Sequence, residues 1–176
     1  MALTRLVFVD ETGAKTNMTR RYGRAPGGQR VLDGAPHGHW GTTTLLSSIR
    51  LDATTAPMVI EGPTDQDVFE AYVQQVLAPS LRPGDVVVLD NLSSHKSAAV
   101  EAAILATGAE VWFLPPYSPD FNPVEQLWSK VKAFLRALKA RTLDALIEAI
   151  RRALLQVTPA DVIGWFSHCG YVKIQC

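Results

Sequence analysis

Short, uninterrupted apolar runs alternate along this chain with segments whose apolar residues recur at helical spacing. The clearest run, Val86 to Leu89, is β-branched, follows the turn pair Pro83-Gly84 and ends on an acid, Asp90. Such a run is typical of a central strand covered on both faces. Leu6 to Val9 is a second run of this kind, and it ends on Asp10. The two runs predict interior strands that deliver carboxylates to the same end of one sheet.

The rest of the chain predicts three further strands and five helices. The strands are predicted from Trp40 to Leu51, from Met58 to Ile60 and from Val111 to Leu114. Helix starts are predicted near Thr64, Pro123, Thr142 and Pro159, and after one of the three serines at 93, 94 and 97. Three strands followed by alternating helices and strands predict an α/β domain with a mixed five-stranded sheet.

A third acid, Glu125, follows a segment that cannot be helical. Three closely spaced prolines at 115–119 exclude a helix there, and Asn122 with Pro123 is typical of an N-cap and a first helical residue. Glu125 is therefore predicted in the first helical turn. Structural explanations stay open: Asn122 and Glu125 resemble a capping box, and Asp90 can form an Asx-turn.

Three carboxylates at two strand ends and one helix start suit metal-assisted phosphoryl transfer. Mg²⁺ prefers carboxylate oxygens and keeps several waters. Two such ions, roughly 4 Å apart, stabilise both the attacking and the leaving oxygen of an in-line displacement. Glu11 lies beside Asp10 and is expected to point to the opposite face of its strand, which makes it a poorer ligand candidate.

The formal net charge is zero, but the charges are segregated along the chain. Segments 15–30 and 130–141 each contain five basic residues and no acid. These are Lys15, Arg20, Arg21, Arg24 and Arg30 in the first segment, and Lys130, Lys132, Arg136, Lys139 and Arg141 in the second. Because one segment follows Asp10 and the other follows Glu125, we interpret them as phosphate contacts, with a solvated face as the alternative.

The helix after the prolines has an apolar and a polar stripe. Glu125, Lys132 and Arg136 lie along the polar stripe, so the two cations are expected to reach phosphates near the acid without reading the DNA sequence. Trp128 lies on the apolar stripe and is assigned to the core, with base stacking as the alternative. His95 is interpreted either as a polar residue at a loop-helix junction or as one that contacts phosphate or assists proton transfer.

Length and composition favour one domain, since the 176 residues are 47% hydrophobic. Cys169 and Cys176 are too few for a disulfide framework or a four-ligand zinc site, and we expect free thiols in a cytosolic protein. His168 beside Cys169 has no further candidate ligands nearby. We find no signal peptide, no membrane-spanning apolar run and no dinucleotide or Walker fingerprint in the glycine-rich segment 20–30.

Three motifs together carry a resemblance to a known family. They are Val9-Asp10-Glu11, Leu89-Asp90-Asn91-Leu92-Ser93-Ser94-His95-Lys96, and Leu114-Pro115-Pro116-Tyr117-Ser118-Pro119-Asp120-Phe121-Asn122-Pro123-Val124-Glu125-Gln126-Leu127-Trp128. Between Asp90 and Glu125 lie 34 residues. From about residue 5 to about residue 140, the chain resembles the catalytic domain of mariner-like transposases from bacterial insertion sequences.

This resemblance implies a ribonuclease-H-like fold, with helices on both faces of the sheet, and DNA cleavage followed by strand transfer. Asp10, Asp90 and Glu125 would be the acidic triad for two Mg²⁺ ions, with Mn²⁺ as a substitute. Asp10 and Asp90 would share one ion, and Glu125 would complete the second site. The expected DNA contacts are Arg20, Arg21, Arg24, His95, Lys96, Lys132 and Arg136. The implied partners are transposon ends and target DNA with TA dinucleotides, bound by a homodimer in the bacterial cytoplasm and nucleoid.

One departure from the family lies before Asp10. Relatives carry helix-turn-helix modules ahead of the catalytic domain, and we expect residues 1–176 to be a single catalytic domain without them. A split reading frame or a trimmed chain would explain this. Two alternatives stay open: a ribonuclease-H-like nuclease without strand transfer, and a non-catalytic module that binds DNA or inhibits a full-length transposase. Tyrosine-nucleophile recombination is less favoured, since Tyr117 lies in a proline-rich loop without supporting Arg and His residues.

Overall fold

Five strands and five α-helices follow one another in the described part of the chain, which comprises residues 2–34, 36–37 and 41–172 of a computed structural model. The strands are β1 (Leu6–Ala14), β2 (Thr43–Arg50), β3 (Met58–Glu61), β4 (Val86–Leu89) and β5 (Glu110–Phe113). The helices are α1 (Gln66–Tyr72), α2 (Ala98–Leu105), α3 (Pro123–Leu138), α4 (Leu143–Leu154) and α5 (Pro159–His168). Their order is the predicted one. Trp40, at the start of the second predicted strand, and Cys176 lie outside the described residues.

The five strands form one mixed sheet in the order β3-β2-β1-β4-β5. β2 pairs antiparallel with both β1 and β3, whereas β4 pairs parallel with both β1 and β5. In the β1–β4 register, Phe8 lies beside Val88, which is the last pair. Continuing that register by two residues brings Asp10 beside Asp90. The sheet therefore places the two acids together although they are far apart in the chain.

Alternating side chains of the central strands contribute to two cores on opposite faces of the sheet. On one face, Phe8 and Val88 pack with apolar residues of α3, α4 and α5. On the other face, Val7 and Leu89 pack with apolar residues of α1 and α2. Helices thus cover both faces, as expected. Trp128 of α3 is buried in the first core, which agrees with its assignment from the apolar stripe.

Helix α1 begins differently from the prediction. Asp65, not Thr64, is the N-cap, because its extended backbone allows its carboxylate to accept the N–H of Val68 at 2.9 Å. The helix continues as a π-helical turn over Val73–Leu77 and a 3-10 turn over Ala78–Ser80. The prediction near Thr64 was therefore one residue early.

A buried ion pair anchors the opposite end of the sheet from Asp10 and Asp90. Arg50 Nη2 lies 2.6 Å from Asp85 Oδ2 and donates to the Ser80 carbonyl at 3.0 Å, and the same carboxylate oxygen accepts the Arg82 N–H. The two paired side chains are 3% and 5% exposed. This pair fastens the end of β2 to the start of β4.

Candidate active site

A cavity of about 390 Å³ opens beside the carboxyl end of β4. Asp90 reaches it from directly after β4, and Glu125 reaches it from the first turn of α3. Asp10 reaches it from the middle of β1, which pairs with β2 as far as Ala14 and so does not end on Asp10 as predicted. The rest of its lining is Asn91, Leu92, Leu114, Pro115, Pro116, Tyr117, Ser118, Pro119 and Asn122. Three acids that the sequence singled out therefore face one common space.

Asp10 is the most buried of the three acids, with 8% of its surface exposed. Its Oδ1 accepts the Glu11 N–H at 2.8 Å, and its Oδ2 accepts the side-chain amide of Asn122 at 3.3 Å. Burial raises the pKa of Asp10 to about 7, helped by the negative charges of Glu125, Glu11 and Asp90. The cavity therefore concentrates negative charge that a cation would neutralise.

Asn122 connects Asp10 to the start of α3. Its side-chain oxygen accepts the N–H of Val124 at 3.2 Å, which caps the helix, while its side-chain nitrogen donates to Asp10. In the part of the chain that the structure describes, no hydrogen bond joins the Glu125 carboxylate to Asn122, so the capping-box explanation of this acid does not hold. The carboxylate of Glu125 is exposed at the cavity instead.

Asp90 does form the Asx-turn considered above, because its Oδ1 accepts the Leu92 N–H at 3.0 Å. The same oxygen lies 2.6 Å from His95 Nδ1. Burial acts to raise the pKa of Asp90, but the hydrogen bonds from His95 and from the Leu92 N–H lower it below its ordinary value. Turn formation and a place in the cavity are therefore compatible at this residue.

His95 is fully buried, so its ring has no exposed surface toward a phosphate in this conformation, and the contact with DNA stays a prediction. Its ring stacks on Phe69, with the ring centres 3.9 Å apart. Its Nε2 lies 3.0 Å from Glu11 Oε2, although the alignment does not meet hydrogen-bond geometry. Burial alone would lower the pKa of His95, yet the carboxylates of Asp90 and Glu11 raise it to about 9, which favours an imidazolium at neutral pH.

The predicted phosphate-binding residues do not lie in the cavity lining. Arg20, Arg21 and Arg24 are exposed on the long segment between β1 and β2. Lys96 lies at the surface with its Nζ 5.5 Å from the centre of the Phe113 ring. These cations are thus exposed at the surface and outside the cavity lining, and their contact with DNA stays a prediction.

Three of the five basic residues in segment 130–141 make internal contacts. Lys130 pairs with Asp161 of α5, Lys139 pairs with Asp33, and Arg141 Nη1 donates to the Thr16 and Met18 carbonyls. Within the described residues, the half-buried side chains of Lys132 and Arg136 form no ion pair. The second basic segment therefore serves the fold as well as offering two cations to a partner.

The comparisons with known proteins identify the family of this fold and site. The family model described as "DDE superfamily endonuclease" matches residues 5–147. The chain belongs to this family. No curated protein sequence matches it.

Solved structures similar to this DDE domain include the Mos1 mariner paired end complex with Mn, with a TM-score of 0.71 and 17% identity, covering 97% of this chain and 53% of that one. The Mos1 strand transfer complex has a TM-score of 0.70 and 17% identity, and the match covers 96% of this chain and 51% of that one. The catalytic domain of Mos1 mariner transposase has a TM-score of 0.65 and 13% identity, and the match covers 96% of this chain and 76% of that one. The predicted ribonuclease-H-like fold is confirmed, and the chain spans about half the length of the first two Mos1 chains.

The donor set of this DDE domain suits a hard divalent cation, since it consists of carboxylate oxygens in a cavity with excess negative charge. Across residues 2–34, 36–37 and 41–172, no group of three or more His, Cys, Asp or Glu side chains is spaced to hold one ion. A two-ion arrangement does not need such a group, because waters and phosphate oxygens complete the coordination. The three acids therefore fit the cation chemistry.

Two further observations bear on other sequence predictions for the DDE domain. Cys169 is a free, buried thiol at the end of α5. In the described part of the chain, no helix is both long and apolar enough to cross a membrane.

Glu11 and Phe69 were not selected from the sequence as site residues. The spacing between Asp90 and His95 was the one available signal that this histidine belongs with the acids.

Proposed function

We propose that this DDE domain is the catalytic domain of a transposase, which cleaves DNA and transfers a 3′ end by metal-dependent phosphoryl transfer. The observation that carries the proposal is the convergence of Asp10, Asp90 and Glu125 on one cavity, together with the raised pKa of Asp10. Burying Asp10 among other acids is unfavourable, so such a site indicates a function that requires it.

Each acid has its own structural support. Asn122 and the Glu11 N–H orient the carboxylate of Asp10, while the Leu92 N–H and His95 orient that of Asp90. Glu125 stands at the N-terminus of α3, where unpaired N–H groups favour nearby negative charge. Asp10 and Asp90 would hold one Mg²⁺ or Mn²⁺, and Glu125 would complete a second site. Ions held in this way would supply stabilisation of the attacking and leaving oxygens.

DNA is the proposed partner, and the similar Mos1 structures, which include a paired end complex and a strand transfer complex, support it by analogy of fold. Lys132 and Arg136, which follow Glu125 along α3, are proposed phosphate contacts. Origin from a bacterial insertion sequence, TA targets and a homodimer on DNA stay predictions from the resemblance.

The test is a pair of assays with Mg²⁺ or Mn²⁺: nicking of supercoiled plasmid, and joining of a duplex with a free 3′-hydroxyl to plasmid. We expect both activities in the wild type and a loss of at least about 100-fold for Asp10→Asn, Asp90→Asn or Glu125→Gln, because removing a ligand removes metal stabilisation of the transition state. Asp67→Asn, an exposed acid of α1, is the matched control and should keep full activity.

The alternatives give different results in the same assays. Nicking without joining would mean a nuclease of this fold and would contradict the strand-transfer part of the proposal. DNA binding without cleavage, unchanged in Asp90→Asn, would mean a binding or inhibitory module and would refute the proposal.

A further inference from the structure

Three side chains, Glu11, His95 and Asp90, link the middle of β1 to the end of β4 and are called the histidine bridge below. Nδ1 of His95 lies 2.6 Å from Asp90 Oδ1, and Nε2 lies 3.0 Å from Glu11 Oε2. His95 belongs to a 3-10 turn over Ser93–His95 that directly follows the acid it contacts. Both carboxylate partners are partly exposed, whereas the ring is not.

The histidine bridge spans the region where the pairing of β1 with β4 has stopped, although β1 still pairs with β2 there. The last β1–β4 pair is Phe8 with Val88, and β4 ends at Leu89. Asp10 and Asp90 stand two residues beyond that last pair, so no β1–β4 ladder bond fixes the distance between them. The contacts of His95 with Glu11 and Asp90 connect β1 to the end of β4 at this point.

The surroundings of His95 leave it little freedom. Phe69 of α1 covers one face of the ring at 3.9 Å, and the side chain has no exposed surface. A fully buried polar ring is costly unless its nitrogens have partners, and here both face carboxylates. The two acids, one facing each ring nitrogen, also supply the negative charge that a buried imidazolium needs.

The orientation of Asp90 depends on this ring. Its Oδ1 receives two donors, the Leu92 N–H and His95 Nδ1, whereas within the described residues its Oδ2 receives none. One oxygen is therefore held by the protein and the other is left for the cavity. Partners that orient a ligand in this way are part of many metal sites and are needed for full affinity.

We propose that His95 is a positioning residue: it fixes the Asp90 carboxylate and ties it to Glu11, so that Asp90 presents one oxygen to a divalent cation beside Asp10. The inference rests on the proposed function, since it assumes that Asp90 binds metal. It extends that function by assigning a role to a buried histidine.

Two substitutions of His95 by an amide test its contact with Asp90 and its contact with Glu11 one at a time. In His95→Asn, the side-chain amide takes the place of Nδ1 and keeps a donor for Asp90. In His95→Gln, the amide takes the place of Nε2 and reaches Glu11 but not Asp90. The probe is Mn²⁺ alone, with its dissociation constant measured by electron paramagnetic resonance on the full chain.

We expect His95→Gln to raise the Mn²⁺ dissociation constant by about 10-fold to 100-fold, as for other lost outer partners of metal ligands. His95→Asn should stay within about threefold of the wild type by the same reasoning. If both variants weaken Mn²⁺ binding equally, the His95 ring contributes only its packing. If both bind Mn²⁺ with wild-type affinity, Asp90 needs no positioning. Either result overturns the inference.

Asp90→Asn distinguishes failure of the inference from failure of the proposed function. If this variant binds Mn²⁺ as the wild type does, Asp90 is not a metal ligand, and the proposed function is refuted because it requires Asp90 to bind the ion. If it loses affinity while His95→Gln does not, the proposed function stands and the positioning role alone is refuted. Thermal unfolding of each variant, followed by circular dichroism, shows that the comparison is between folded proteins.

Discussion

Replacing Asp10 with asparagine is expected to stabilise the metal-free protein at neutral pH, although it removes a carboxylate from the candidate site. Burial and the neighbouring acids raise the pKa of Asp10 from 3.8 to about 7 in the folded state. An acid with a raised folded-state pKa weakens the fold progressively as the pH rises from its unfolded to its folded pKa, and the loss is constant above that. The variant, which cannot ionise, avoids the loss.

The size of the effect follows from the two pKa values. The difference between 3.8 and about 7 corresponds to at most about 4 kcal/mol at pH 8, at about 1.4 kcal/mol per pKa unit. Asparagine has one acceptor oxygen in place of two, so it loses a hydrogen bond from Asn122 or from the Glu11 N–H, which costs about 1 kcal/mol. We therefore expect a net gain of about 1–3 kcal/mol at pH 8 that falls close to zero near pH 5.

The assay is urea unfolding with a chelator at several pH values between 5 and 8, with the free energy of unfolding compared between Asp10→Asn and the wild type. Asp67→Asn, at an exposed position, is the control and should show almost no difference at any pH. A variant less stable than the wild type at pH 8, or a difference that does not change with pH, would refute the reasoning. Either outcome would mean that the cavity does not hold its acids under mutual repulsion.

Three further predictions use other contacts of the structure. Asp85→Ala should cost about 3–5 kcal/mol in urea unfolding at pH 7, because it leaves Arg50 buried without its partner. Burial acts to raise the pKa of Asp85, but Arg50 lowers it below 3.8. This stabilisation should therefore be present above pH 3.8 and be lost as the pH falls through the lowered folded-state pKa, and a cost that does not decrease as the pH is lowered below 3.8 would contradict this. Mg²⁺ should raise the melting temperature of the wild type and release protons near pH 6.5, because Asp10 must ionise to bind it, whereas Asp10→Asn should show neither effect in calorimetry. Arg141→Ala should speed tryptic cleavage of segment 15–30 while changing the free energy of unfolding by about 1 kcal/mol or less, and an unchanged cleavage rate would show that its hydrogen bonds to Thr16 and Met18 do not restrain the segment.

The fold could be predicted from the sequence because its strands carry strong local signals. The run Val86 to Leu89 predicts a buried strand, and the turn before it, its length and the acid after it all agree with that prediction. Asn122 and Pro123 likewise specify the start of α3 from two adjacent residues. The start of α1 was missed by one residue because both Thr64 and Asp65 are capable N-caps, and only the backbone conformation decides between them.

The surroundings of the acids could be predicted only in part. The two apolar runs that end on Asp10 and Asp90 were sufficient to bring these acids together. The burial of His95 depends on Phe69, which reaches it from a helix that precedes β4, and no local pattern announces that contact. The internal pairing of Lys130 and Lys139 also depends on distant acids, so a basic segment that looked uniform in the sequence divides into structural and available cations.

Helix α3 has a further consequence for how far a bound duplex would extend. Glu125 stands in its first turn, and Lys139, which pairs with Asp33 of the segment between β1 and β2, caps its last turn. Their backbones are roughly 20 Å apart at about 1.5 Å per helical residue. At about 3.4 Å per base pair, that distance corresponds to about six base pairs. A rigid helix thus sets the spacing between the acid and the anchored segment, so a duplex that lies along α3 and reaches both would cover about six base pairs.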